Sequence, residues 1–280
     1  MTNSEFSNQF DVLYNNIMSN QAPGLDEYEK SVFLTKAQDE IVKAYFNPKG
    51  NKFLEGFDGN EQRQIDFSML MKTSIVESSA FGDPQFDLRD DGIKSVPIPP
   101  DVLSFVNEKL QVTRSNQAVV LAIIPISYTE YTLKMSKPYK RPLNYQAWRL
   151  IDNTSGTSRK ADVIAGPNDT LVRYIARYVK KPTPIILAPL EGISIGGYLG
   201  TGQTSDGQGG TITVLVPTNN PDSITVTAGI ECELDPILHE DILQRAVELA
   251  KAAYTGDLTS QLALGQSSET NKGVVAAPSR

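Results

Sequence analysis

Few residues in this chain have the type and spacing that chemistry needs. His239 is the single histidine and Cys232 the single cysteine. A His-based triad would have to use the former, and neither an internal disulfide nor a cysteine-built zinc site can form. His239 stands beside Glu240 and Asp241 in what reads as the first turn of a helix, the setting of a solvated surface histidine. Asp83, Asp87, Asp90 and Asp91 could offer oxygens to calcium, but their spacing fits no twelve-residue loop and reads as a solvated turn. Between Gly192 and Gly210 glycine is abundant. Its spacing matches neither the dinucleotide fingerprint nor the P-loop, and no Lys-Ser or Lys-Thr pair opens a helix afterwards. That stretch is expected to be a flexible loop inserted between strands and reaching a neighbouring subunit. No nucleophile elbow or kinase motif is present, and paired carboxylates occur only at helix starts. No catalytic, cofactor or metal residue is assigned. A hydrolase of cell-wall sugars would need two carboxylates ~5–10 Å apart in a cleft, and no such pair stands out.

The basic residues are the exception. From Lys134 to Lys181 there are 11 Lys and Arg against Asp152, Asp162 and Asp169, a local balance of +8 in a chain whose net charge is −7, leaving −15 for the rest. Such asymmetry suits a surface that meets something acidic, either nucleic acid or a neighbouring copy. Lys134, Lys137, Lys140 and Arg141 surround Tyr139 and precede Trp148, an interleaving of basic and aromatic groups that would fit a nucleic-acid groove. Arg173, Arg177, Lys180 and Lys181 extend the set. An aromatic core wrapped by Lys and Arg stems reads the same way. Contacts to DNA here would go to phosphates and not to bases. A sequence-independent nucleic-acid-binding module is therefore the alternative function.

The elements that would carry these residues follow from apolar spacing. At 280 residues, 40% hydrophobic and 21% charged, the chain can bury a full core. No apolar run approaches the ~20 residues of a bilayer span, and the start of the chain lacks the regions of a signal peptide, so folding in a cytoplasm without membrane contact is expected. Phe6, Phe10, Leu13, Tyr14 and Ile17 predict a helix over 5–19. A second helix is predicted over 26–46, with Tyr28, Val32, Phe33, Ala37, Ile41, Ala44 and Tyr45 on its apolar face. A third spans 61–72, turning Ile65, Met69 and Leu70 inward. These form an N-terminal helical subdomain, 1–76. A linker with a short helix at 101–109 occupies 77–117. A β-rich domain follows over 118–230, with the glycine-rich insertion at 192–210. Its strands are 118–125, 127–135, 147–151, 162–165, 171–179, 211–216 and 223–227. A helix at 231–254 starts on Asp235 and Pro236, which suit the N-cap and first helical position. Its wide stripe of Leu238, Ile242, Leu243, Val247, Leu249 and Tyr254, interspersed with alanines, suits packing on another helix or closing over the sheet. The remainder, 255–280, has no apolar period and is expected to order only on binding. The fold class is α+β: a helical subdomain, a mixed sheet or small barrel, and a C-terminal helix with an extended tail.

This order of segments resembles a known family. The helical pair from Phe10 to Phe46, the stretch Arg173-Tyr174-Ile175-Ala176-Arg177-Tyr178-Val179-Lys180-Lys181-Pro182-Thr183-Pro184-Ile185-Ile186-Leu187 and the late Glu233-Leu234-Asp235-Pro236-Ile237-Leu238-His239-Glu240-Asp241-Ile242 helix are similar to head–tail adaptor, or neck ring, proteins of tailed bacteriophages. The likeness covers about residues 5 to 260 and lies nearest the crAss-like short-tailed phages. The resemblance implies a structural role in the virion neck without enzymatic activity. Such proteins form a ring, usually of twelve copies, that joins the portal to the tail and continues the DNA channel for ejection. It implies as partners other copies, the portal protein, other tail or neck rings and passing genomic DNA. Portal docking would fall on the helix and tail, at Leu238, Ile242, Leu243, Val247, Leu249, Tyr254, Leu258, Leu262 and Leu264. The helix stripe could equally pack wholly on its own domain. The basic residues Lys134, Lys137, Lys140, Arg141, Arg173, Arg177, Lys180 and Lys181 would line the channel or meet the next subunit. The glycine-rich segment exceeds what an adaptor core needs and fits the elaborated rings of larger phages.

Overall fold

The computed structural model describes residues 1–17, 24–46, 65–82, 93–140, 142, 144–152, 159–166, 169–190, 193–205, 210–219 and 224–255. The fold is α+β, and the chain divides into two compact units: Met1–Met69 with Pro182–Arg280, and Leu70–Lys181. The strand-rich stretch 118–230 thus contributes to both. No helix among the described residues is long and apolar enough to cross a membrane.

The unit Leu70–Lys181 holds a seven-stranded sheet ordered β1 (Met71–Glu77), β7 (Thr170–Lys180), β3 (Val102–Arg114), β4 (Gln117–Pro125), β5 (Gln146–Asp152), β6 (Lys160–Ile164) and β2 (Ile93–Pro97). All neighbours run antiparallel except β4 and β5. β3 and β4 form a hairpin registered Arg114↔Gln117. Its two turn residues, Ser115 and Asn116, have φ of 49° and 64°, the left-handed pair whose twist matches that of the strands. After β1, Gly82 exchanges backbone hydrogen bonds of 2.8 and 3.0 Å with Ser95 of β2. The two edges of the sheet meet there, so it curls into a small barrel. Leu110, Val112, Leu121, Val163, Tyr174 and Ala176 fill its inside. The helix α3 (Tyr128–Met135) lays Tyr128, Tyr131 and Met135 over Ile93, Trp148, Leu150 and Ile164 on the outside of β2, β6 and β5.

Three sequence expectations fail in this unit. The predicted helix at 101–109 is β3: Val102, Leu110 and Val112 are buried, and two neighbouring strands supply its hydrogen bonds, so strand pairing overrides a pattern readable either way. The predicted strand at 127–135 is α3, nucleated by a capping box in which Ser127 and Glu130 each bond the other's backbone N–H. The described end of the predicted helix at 61–72 gives way to a 3-10 turn at Ser68–Leu70 and then to β1. Leu70 is buried there, but Ile65 and Met69 face solvent.

The other unit contains α1 (Asn3–Ile17), α2 (Glu27–Phe46), α4 (His239–Thr255) and a three-stranded antiparallel sheet ordered β10 (Val226–Ala228), β8 (Tyr198–Ser205) and β9 (Thr211–Pro217). Phe6, Phe10 and Tyr14 of α1 are buried as expected. On α2 the buried positions include Lys30, Ser31, Leu34, Ala37, Gln38 and Val42, while Tyr28 and Val32 are half-buried and Ala44 is exposed. The polar members have a cause. Ser31, Thr35 and Gln38 lie along one face and bond the extended stretch 183–187: Leu187 N–H donates to Ser31 Oγ (2.9 Å), Ile185 N–H to Thr35 Oγ1 (3.1 Å), and Gln38 Nε2 to the Thr183 carbonyl (2.9 Å). The helix thereby takes the place of a neighbouring strand, as buried backbone requires. On its other side, Ile186 pairs with Ile230.

Within the glycine-rich stretch, expected to be a loop, Tyr198–Ser205 is strand β8. A Cβ on Gly200, whose φ is +140°, would lie 2.5 Å from the Ala228 carbonyl oxygen, and one on Gly202 would lie 2.6 Å from that of Thr225. Glycine is needed where the chain around β10 crosses closely, which accounts for these two glycines without a ligand. α4 packs against α2 and α1 and not over a sheet. Asp235 caps the 3-10 turn that leads into it by accepting from Ile237 N–H at 3.0 Å.

Candidate functional site

The surfaces available for contact are set by what each unit spends internally. In the helical unit, Leu238 of the preceding 3-10 turn and Ile242, Leu243 and Val247 on the inner face of α4 are 0–2% exposed. Leu249 is half-buried and Tyr254 is 46% exposed. Leu258, Leu262 and Leu264 lie outside the described residues. Arg245 fixes the helix laterally, with Nε and Nη2 at 2.9 and 2.8 Å from Glu40 Oε2 of α2 and Nη1 at 3.0 Å from Glu248. Between α1 and α2, buried Lys30 places Nζ 2.8 Å from Asp11 and 3.2 Å from Glu27. Burial opposes its charge, yet the two carboxylates outweigh that and hold its pKa above the usual lysine value.

His239 departs from its expected solvated state. It is 4% exposed and rests against the Phe6 ring. Its Nε2 lies 3.0 Å from the Leu234 carbonyl and its Nδ1 2.7 Å from the Met1 ammonium. A neutral ring satisfies both, donating from Nε2 and accepting at Nδ1. Burial, reinforced by the Met1 charge, lowers its pKa. Cys232 is similarly removed from chemistry, since burial pushes its thiol up to about 11.

What α4 leaves outside is acidic. Glu240, Asp241 and Glu248 are exposed beside Gln244. Ile237, just before the helix, is 66% exposed and Val12 of α1 60%. Asn8, Gln9, Val12, Leu13 and Glu240 line a shallow groove of about 290 Å³. An apolar groove with an acidic rim results.

The predicted basic residues divide between two places. Lys134 of α3 lies 5.5 Å above the Trp148 ring and 3.9 Å from Glu130, so its aliphatic stem covers the aromatic core. Lys137 and Lys140 are exposed beside Tyr139, itself 78% exposed; Arg141 is outside the described residues. Arg173 and Arg177 belong to β7, separated from β5 by β3 and β4, about 14 Å along a sheet. Arg173 pairs with Glu77 at 2.8 Å, Arg177 and Lys181 are exposed, and Lys180 is half-buried.

Sequence reasoning missed a charged cluster inside the barrel. Arg149 Nη1 donates to Glu108 Oε2 at 2.6 Å, the Tyr174 hydroxyl donates to the other Glu108 oxygen, and the guanidinium stacks 4.3 Å from the Phe105 ring centroid. Burial and the Glu108 charge raise the Tyr174 pKa. The only signal was an acidic residue inside an alternating apolar run, hidden once 101–109 was read as a helix. A second pair, Arg114 and Asp169, makes two parallel bonds of 2.6 Å. The arginine bonds, ahead of the opposing effect of burial, hold the Asp169 pKa below the usual carboxylate range. The Glu108–Arg149 pair is internal, whereas the Arg114 side chain stays 26% exposed beside buried Asp169, and no group of metal-ligating side chains occurs among the described residues.

Comparison with known proteins follows the same lines. A family model described as phage tail ring protein 3/4 matches residues 1–204. The chain is 46% identical over 271 residues to "Ring protein 4/5" of Bacteroides phage crAss001, covering 96% of this chain and 100% of that protein. It is 27% identical over 266 residues to "Ring protein 3" of the same phage, covering 92% and 99% respectively.

Proposed function

The chain belongs to the phage tail ring protein 3/4 family, and from that membership we propose that it forms a ring in the virion neck that joins the portal to the tail and continues the DNA channel. As a phage ring protein it is a structural, tail-associated component of the virion. The near full-length match to a ring protein carries this reading. Several features support it. The buried ionic pairs are spent on the fold, the one histidine is buried and the one cysteine half-buried, and the exposed surface offers opposite charges on different elements. Copies of this chain and the other neck rings are its partners. Portal docking falls to the outer end of α4 around Leu249 and Tyr254 and to 255–280, including Leu258, Leu262 and Leu264. Lys137, Lys140 and Lys181 face the passing DNA through phosphate contacts alone.

The test is capture of the full-length chain by the purified portal, compared with a chain ending at Tyr254. Loss of capture with an unchanged melting temperature is expected; equal capture by both would remove the docking role of 255–280.

A further inference from the structure

The charge asymmetry of the sequence persists when mapped on the fold. Leu70–Lys181 contains 16 Lys and Arg against 11 Asp and Glu, a balance of +5, whereas the remaining residues contain 10 against 22, a balance of −12. Each unit also presents an exposed apolar area set among charges of its own sign. In the barrel unit α3 covers the outside of β5, β6 and β2, and no described element of this unit covers the outside of β1, β7, β3 and β4. Strand registers place one outward row at Ile75, Ile175, Lys109 and Ala122, and the next at Glu77, Arg173, Gln111 and Val120. Arg177 stands one row further along. Ile75 and Val120 are 56% and 58% exposed, and Lys109 and Arg177 are exposed. The helical unit offers the counterpart: the groove lined by Val12, Leu13 and Glu240, with Ile237 and Asp241 exposed nearby in sequence.

We propose that the outer face of β1, β7, β3 and β4 in one copy receives the acidic α1 and α4 surface of the next copy. Ile75 and Val120 then meet the Val12 groove, while Lys109 and Arg177 meet Glu240 and Asp241. Two different surfaces of one chain are used, so the contact is head-to-tail. Such contacts continue from copy to copy until a ring closes. Charges of opposite sign on the two faces favour this register over face-to-face pairing of like surfaces. The inference rests on the ring reading and adds which surfaces join.

Two charge-reversed full chains test it. One carries Lys109→Glu and Arg177→Glu; the other carries Glu240→Lys and Asp241→Lys. Each leaves a chain whose two faces repel their own kind, so neither assembles alone, while an equal mixture alternates the two and recovers assembly of wild-type mass. Melting temperatures near wild type establish that both are folded, and light scattering under conditions where the wild type assembles gives the readout. Assembly of either variant alone to the wild-type extent overturns the interface, as does a mixture of folded variants that stays monomeric. A wild type that never assembles, even with portal and other ring proteins, removes the ring reading and this interface with it.

Discussion

Arg149 and Glu108 form a 2.6 Å ion pair inside the barrel, with both side chains at least nine-tenths buried. β3 and β5 are not neighbours in the sheet, so the pair spans the barrel interior. Breaking it from the arginine side leaves the buried Glu108 charge without its counter-charge and held only by the Tyr174 hydroxyl, a loss on the order of 3–5 kcal/mol. Arg149→Met is therefore expected to lower the unfolding midpoint in urea sharply, whereas adding Glu108→Leu to that chain recovers much of the loss. A double variant no more stable than Arg149→Met would contradict this assignment.

Gly200→Ala places a methyl group 2.5 Å from the Ala228 carbonyl oxygen at a φ of +140°. Strain of that kind costs on the order of 1–3 kcal/mol before the clash is counted. A drop in thermal stability of at least that size is expected in calorimetry. An unchanged transition would mean that the stretch is a loop after all.

His239 ties stability to pH. Its folded pKa lies below the usual value, so its contribution is present above the unfolded pKa of about 6.5 and is lost as pH falls from there towards the folded value. Protonation puts a second positive charge against the Met1 ammonium. Between pH 7 and 5 the wild type is expected to lose more stability than His239→Gln, measured as the difference between their melting temperatures across that range. Parallel curves would contradict it.

These elements also show what was legible in the sequence. The first two helices, the strands around 118–125, 147–151, 162–165, 171–179 and 211–216, and the helix after Asp235 follow apolar spacing and cap chemistry, and they emerged within a few residues. The failures have two causes, one local and one distant in sequence. Ser127 to Met135 alternates like a strand, but the capping box of Ser127 and Glu130 decides for helix. Val102 to Lys109 is decided by neighbours distant in sequence, and so are the glycines of β8. Likewise Ser31, Thr35 and Gln38 look like a polar helix face until the chain at 183–187 is laid along them. For the candidate surfaces, charge was legible and partnership was not. Arg173 and Lys134 looked as free as Arg177, yet each already lies beside a carboxylate.

The central claim is ring formation, and the mass of the purified full-length chain with and without the purified portal tests it most directly. Light scattering is expected to show small species alone and a ring-sized complex once the portal is added. A chain that ignores the portal and binds DNA as a monomer, with affinity falling steeply as salt rises, would contradict the account and favour a sequence-independent nucleic-acid-binding module.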